Sequence, residues 1–303
     1  MEEDILDFVE VSVDDKEVFD KYLEKFQPQA SDLSFTNVYM WRHYFRSRYA
    51  IINGLLCVVA VPEKDEPFCF MPMGEINEDD FKGAVEALGR YFAKNGWKFQ
   101  FRRVEEDRLQ LFRNYVKSEK AIVFDRRNSD YVYLTQDLIK LAGKKYDGKR
   151  NHINKFKREH HYEYAAITPD NLEDCLRISN EWYAKRSSNK HRGLYFEKCA
   201  ADDLLHNYER LGCTGAIIYV DGRPEAYTVG EMLNKDTAVI LLEKANASID
   251  GLYTLINQQF CENAWADTKY INREEDMGVE GLRKAKLSYH PAKLVNKYII
   301  SLG

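Results

Sequence analysis

Gly215-Ala216-Ile217-Ile218-Tyr219-Val220-Asp221-Gly222-Arg223-Pro224-Glu225-Ala226-Tyr227-Thr228-Val229-Gly230-Glu231-Met232-Leu233-Asn234-Lys235-Asp236-Thr237-Ala238-Val239-Ile240-Leu241-Leu242 is the stretch that decides the fold. Gly215–Val220 reads as a strand, and Asp221-Gly222 is the strongest short hairpin signal, because both positions of a tight hairpin turn need positive φ. Glu225–Met232 returns, Asn234-Lys235-Asp236 turns again, and Thr237–Leu242 makes a third strand. A helix is expected next at about 251–265, with Leu252, Leu255, Ile256 and Phe260 at helical spacing. Tyr270-Ile271-Asn272 is a short strand, and Val279–Tyr289 reads as a further helix.

The first half of the chain runs through the same series. Arg48–Asn53, Leu55–Val61 and Phe68–Met73 read as strands, with Gly54 breaking the first pair and a polar Pro62–Pro67 turn before the third. An amphipathic helix follows at about 78–95, carrying Phe81, Val85, Leu88 and Phe92 on one face and stopping at Asn95-Gly96. Lys98–Arg102 is the next strand, and a helix is expected from Glu105 to Val116. The turn glycines Gly54 and Gly222 stand 168 positions apart, and helical sequence precedes each half, at Asp15–Phe26 and Thr168–Lys185. Thr168-Pro169 suits the cap and first turn of the latter.

A three-strand meander followed by helix, strand, helix and strand resembles the acyltransferase fold of the histone N-acetyltransferases (GNAT). The expectation is an α+β protein of two tandem GNAT-like domains, with mixed, mostly antiparallel sheets flanked by helices. The boundary is placed near Arg126–Asp130, giving an N-terminal domain 1–127 and a C-terminal domain 128–303. A single mixed α+β domain is the alternative.

Length and composition agree with two cores. The 303 residues are 45% apolar and 13% aromatic, which excludes disorder as the main state. Runs such as Ile217–Val220 and Leu55–Val61 fall far short of the roughly 20 residues of a membrane span. The acidic start Met1-Glu2-Glu3-Asp4 is unlike an export signal, so the expected location is cytoplasmic. Six scattered cysteines form no CxxC pair, and the histidines form no HxxxH pattern, so no metal site is expected.

Charge is unevenly placed. The whole chain carries −5, but Lys144–Glu159, expected as a basic inter-domain helix between the two halves, alone carries +5, through Lys144, Lys145, Lys149, Arg150, Lys155, Lys157 and Arg158 against Asp147 and Glu159. On a helix, Ile153 and Phe156 would anchor this segment while its basic groups face outward, a surface that attracts phosphates of tRNA, of an anionic lipid head group or of a nucleotide. A solvated helix paired with acidic neighbours is the plainer alternative.

Coenzyme A-dependent GNAT enzymes carry a Gly-rich segment whose backbone amides cradle pyrophosphate at a helix start. The corresponding Glu243–Leu252 stretch has one glycine and an acidic Asp250, and Gly74–Asp80 in the first half is acidic too. Neither suits acetyl-CoA. Polar and charged residues instead crowd into Asn272–Pro291, just after a strand, where open α/β folds tend to bind ligands. Arg283 and Lys286 share a helix face there and are candidates to clamp one anion.

The run Gly281-Leu282-Arg283, then Lys286, then Tyr289-His290-Pro291, resembles the GLR-x-x-K-x-x-[FY]-x-P signature of the phosphatidylglycerol lysyltransferase C-terminal domain-like family. Leu33–Trp41 and Asp147-Gly148-Lys149-Arg150-Asn151 through Phe156 support the resemblance, which spans nearly the whole chain. The family is similar in fold to the Fem peptidyltransferases, and both groups use aminoacyl-tRNA as donor. The resemblance thus implies an aminoacyltransferase with no cofactor, taking aminoacyl-tRNA as co-substrate and a lipid head group, peptide or other amine as acceptor. It implies Arg283 and Lys286 as binders of phosphate or of the donor terminus. Glu243 and Asp276 are the expected general bases or amine-recognising carboxylates, with Asn272, Tyr253, Lys149 and Arg150 as further substrate-binding residues. A GNAT enzyme using acyl-CoA through a non-standard loop, and a non-catalytic tRNA- or anion-binding module, are the rival readings. The oligomeric state is left open.

Overall fold

The computed structural model describes residues 6–186 and 192–302. The chain divides into two compact units, one formed by Met1–Asp130 with Val295–Gly303, the other by Tyr131–Leu294. Its strands are β1 (Val9–Glu10), β2 (Arg48–Ile52), β3 (Leu55–Ala60), β4 (Phe68–Cys69), β5 (Gln100–Glu105), β6 (Ile122–Phe124) and β7 (Asp130–Leu134). There follow β8 (Tyr162–Ala166), β9 (Thr214–Val220), β10 (Arg223–Met232), β11 (Thr237–Ala245), β12 (Tyr270–Asn272), β13 (Lys293–Val295) and β14 (Lys297–Ser301).

The first unit holds a sheet in the order β1-β2-β3-β4-β5-β14-β6. Its pairs are antiparallel except β4 with β5, which is parallel. Phe19, Leu56, Phe81, Phe92, Phe101 and Phe112 are buried in this unit. The second unit's sheet, read from β8, runs β8-β9-β10-β11-β12-β7-β13. Here too a parallel pair occurs, β11 with β12. Position by position the two orders match. In each sheet, three hairpin-linked strands are joined through a parallel pair to a strand drawn from a distant part of the chain, β14 in the first and β7 in the second. The turn residues also correspond, Asn53-Gly54 at φ 49° and 73° and Asp221-Gly222 at 51° and 78°. These values are the left-handed pair that a two-residue hairpin matched to strand twist requires.

Four expectations are corrected. The C-terminal domain does not run from 128 to 303, because Val295–Gly303 belong to the first unit, where β14 pairs with β5 and β6. The third strand of the first meander is cut to Phe68–Cys69, with Met73 retaining an isolated bridge to Leu56. Pro72 has no N–H to extend the ladder between them. Residues 106–112 form a 3-10 helix rather than an α-helix, and β5 runs on to Glu105 before it. The helix expected from Thr168 begins at Leu172, because the Thr168 amide donates to Asn171 Oδ1 at 2.8 Å and closes a turn first.

Buried charges fasten the last strand of the first unit. The Lys297 ammonium is fully buried and donates to Asp130 Oδ1 at 2.5 Å and to Asp32. Arg103 bridges Asp32 and Asp125 at 2.9 and 3.1 Å. The second oxygen of Asp130 accepts from the Ser31 amide at 2.8 Å.

Glu105, at the end of β5, is 1% exposed and accepts from the Gln29 and Ala30 amides at 2.6 and 2.7 Å. Burial pushes its carboxyl up to about 7 from an ordinary 4.5, against the pull of those amides and of Arg108. A raised carboxyl favours the protonated folded state. Its contribution is full below pH 4.5, where both states are protonated, and is lost as pH rises towards 7. Glu105→Gln is therefore expected to remove a pH dependence of order 3 kcal/mol. In thermal melts at pH 5 and pH 8, the variant should lose less stability than the parent as pH rises, and parallel curves would contradict this.

Candidate functional site

The second unit's parallel pair makes the site. Thr237, Ala238 and Val239 of β11 pair with Tyr270, Ile271 and Asn272 of β12, after which β12 ends and β11 runs on to Ala245. The strands thus fork beyond Val239. A bulge sits at the fork, since Val229 faces Leu242 while Gly230 faces Ile240, leaving Leu241 as the extra residue. Gly230 allows the close approach, because a Cβ there would lie 2.4 Å from the Val239 carbonyl oxygen.

Glu243 lies on β11 beyond the bulge, and Arg273 directly follows β12, so the two straddle the fork. Arg273 Nη2 donates to Glu243 Oε1 at 3.0 Å, and Asn257 Nδ2 donates to Glu243 Oε2 at 3.1 Å. Burial opposes the Arg273 charge, but Glu243 and, after it, the phenol groups of Tyr289 and Tyr133 keep its pKa above the ordinary arginine value. Its Nη1 atom is buried with no hydrogen-bond partner. The guanidinium stands 4.8 Å from the Tyr289 ring centroid, and the Lys149 ammonium stands 3.9 Å from the same centroid.

A second cluster adjoins the first through Tyr253. Its hydroxyl accepts from Trp182 Nε1 at 2.8 Å, and the Glu243 and Arg186 charges both act on it. Lys244, buried and paired with Glu197, lies 3.7 Å from the Trp182 ring centroid, and the Arg186 guanidinium lies 3.6 Å from it. Burial depresses the Lys244 pKa, and Glu197 opposes that shift.

The segment Asp276–Pro291 is fixed by two tyrosines of β7, the strand inserted beside β12, and by Tyr146. The Tyr131 hydroxyl donates to Asp276 Oδ2 at 2.6 Å, the Tyr133 hydroxyl to the Lys286 carbonyl at 2.8 Å, and the Tyr146 hydroxyl to the Tyr289 carbonyl at 2.9 Å. Asp276 is wholly buried, and Arg283 grips it with Nε and Nη2 at 2.8 and 3.0 Å. Burial would raise the Asp276 carboxyl, but Arg283, Tyr131 and the Gly278 amide hold it well below the usual carboxylate range.

The sequence-derived site residues are thus distributed over several roles. Glu243, Tyr253 and Lys149 come together around Arg273. Asp276 and Arg283 form a pair of their own, and Lys286 donates to the Arg273 carbonyl. Asn272 is buried and accepts from the Glu274 amide at 2.8 Å, setting the turn that leads out of β12. Arg150 donates to the carbonyls of Leu141 and Gly143 and pairs with Asp147, fastening the turn before its own helix. Arg273, Asn257, Trp182, Arg186, Lys244 and Tyr289 were not among the expected site residues. Arg273 had a sequence signal, its place directly behind a short strand. The others sit within helical or strand patterns that read as packing.

The basic segment forms the helix Asp147–Glu159 of the second unit, with Ile153 and Phe156 buried as its pattern suggests. It closes the start of the helix Leu252–Ala264. Gly251 there has φ +84°, and a Cβ on it would meet the His152 carbonyl oxygen at 2.5 Å. Asp250 accepts from His152 and Lys155 at 2.8 and 3.1 Å. A helix start that would seat a pyrophosphate is filled by a neighbouring backbone and a carboxylate. Among the described residues, no group of three His, Cys, Asp or Glu is placed to hold a metal ion, and no helix is long and apolar enough to cross a membrane.

Residues 23–301 match the family described as phosphatidylglycerol lysyltransferase, C-terminal. A crystallised conserved protein of unknown function from Bacteroides thetaiotaomicron VPI-5482 is 35% identical, with 99% of this chain and 100% of that one covered at a TM-score of 0.91. The structure of L-PGS from Bacillus licheniformis is 16% identical, covers 99% of this chain and 94% of its own, and has a TM-score of 0.66. A tandem GNAT protein from the clavulanic acid biosynthesis pathway is 10% identical over 98% of this chain and 99% of its own, with a TM-score of 0.53. The last two likenesses show the fold, and they agree with two GNAT-like units in tandem.

Proposed function

Because the chain belongs to the phosphatidylglycerol lysyltransferase C-terminal family, we propose that it is an aminoacyltransferase whose reaction takes place in the β11/β12 fork. The donor is an aminoacyl-tRNA, and the acceptor is an amine or hydroxyl of a lipid head group or peptide. The acceptor atom attacks the ester carbonyl that joins amino acid to tRNA. A new C–N or C–O bond forms, the ester C–O bond breaks, and the nucleophile's proton ends on the departing ribose hydroxyl. Glu243, held in place by Arg273 and Asn257, is assigned to relay that proton. Asp276 acts as an anchor for Arg283, whose guanidinium grips both its oxygens and helps hold its carboxyl well below the usual range.

The observation that carries this reading is the half-used guanidinium of Arg273, buried in a fork between diverging parallel strands. Coenzyme A is disfavoured as donor by the occupied start of the helix Leu252–Ala264. The test offers the purified protein tRNA charged with radiolabelled amino acids, together with vesicles containing phosphatidylglycerol or with amine-bearing peptides. Label should move to one acceptor class, and coenzyme A at micromolar concentration should leave the melting temperature unchanged. A melting temperature raised by coenzyme A, with no transfer from tRNA, would replace this reading by the acyl-CoA one.

A further inference from the structure

The fork holds more positive charge than its acids balance. Arg273 has one carboxylate, Glu243, and that contact uses Nη2 and leaves Nη1 buried and unpartnered. Among the described residues, Lys149 makes no hydrogen bond or ion pair, and its polar contact is with the Tyr289 ring at 3.9 Å. Burial, and after it the Arg273 charge, pushes the Lys149 pKa below the ordinary lysine value. A desolvated cation without a counter-charge is costly, and so is a buried N–H without an acceptor. Both defects lie against one ring, with the two cationic groups 3.9 and 4.8 Å from its centroid. A single bound anion would relieve the pair of them.

The donors also select the anion. A planar carboxylate is best met by two parallel N–H groups from one guanidinium edge. That arrangement is weakened here, since Nη2 is spent on Glu243 and the second donor is a point-charge ammonium on the helix Asp147–Glu159. Donors from separate directions suit a tetrahedral oxyanion. We propose that Lys149 and Arg273 form a phosphate-binding subsite across Tyr289, reserved for a phosphate group of a substrate. The proposal rests on the fork being the reaction site and adds a ligand class to it.

Binding can be read without turnover. Inorganic phosphate and methyl phosphate are titrated into the protein by calorimetry at constant ionic strength, with no tRNA or acceptor present, and acetate serves as the planar comparison. The parent should bind both phosphates saturably and acetate more weakly. Lys149→Ala should weaken phosphate binding roughly tenfold or more with an unchanged melting temperature, and Lys149→Arg should restore part of the loss. Absence of saturable binding, equal affinity in Lys149→Ala, or acetate binding as tightly as phosphate would each overturn the subsite. If transfer activity is not found while phosphate still binds through Lys149, the proposed reaction fails and the subsite stands.

Discussion

Lys297→Met is expected to lower the stability of the first unit by about 3–5 kcal/mol, the usual cost of removing one partner from a buried ion pair. The substitution preserves side-chain length and most of the apolar stem. It leaves Asp130, wholly buried, and Asp32, nearly so, facing each other without their shared cation. Burial raises the Asp32 carboxyl, whereas Lys297 and Arg103 bring it below the ordinary value, and the substitution withdraws the larger of those two supports. Scanning calorimetry should show the unfolding transition falling by roughly 10 °C for a unit of this size. Asp130→Asn in the same chain should recover part of the loss, because coupled neighbours do not add. A fall below about 1 kcal/mol would mean that the strand is held by its ladder and not by its charges.

Arg273→Ala is expected to reduce aminoacyl transfer by roughly 10²–10³-fold, the scale of losing a positioned group beside the reacting atoms. It also leaves Glu243 half-stranded, with Asn257 as its remaining donor. Stability and chemistry are separated by Arg273→Lys, which keeps the charge near Glu243 but cannot present two nitrogens in one plane. The lysine variant should melt close to the parent and remain slow, with the loss in kcat larger than the change in KM for the charged tRNA. A lysine variant as active as the parent would reduce Arg273 to a charge and remove the case for its second nitrogen.

The meanders were legible because their information is local. Gly215–Val220 is an unbroken apolar run, Asp221-Gly222 supplies the turn, and register follows from that turn. Partners from far along the chain were not legible in the same way. Lys297-Tyr298-Ile299-Ile300-Ser301 has strand-forming residues, but nothing within those five names β5 and β6, nearly 200 positions earlier, as their neighbours. Its buried lysine reads as a surface residue until three aspartates from separate segments are brought around it and Arg103. The site divides along the same line. Glu243 and Asp276 stand out as carboxylates just beyond strands, but their roles are set by Arg273, Asn257, Tyr131 and Arg283. The distances that set those partnerships arise from the fold. Arg150 shows the reverse error, a basic residue in a basic run that spends its guanidinium on two backbone carbonyls.

The strand borrowed from the far end of the chain also orders events at the ribosome. Glu105 and Lys297 pair across β5 and β14, so every residue between them must be synthesised before the first sheet can close. At ordinary elongation rates that interval is on the order of ten to forty seconds. During it, β5 and β6 expose ladder edges that any neighbouring nascent chain can join. The second unit needs no such wait, because β7 is already made when β12 emerges. The unit encoded first is therefore the one completed last.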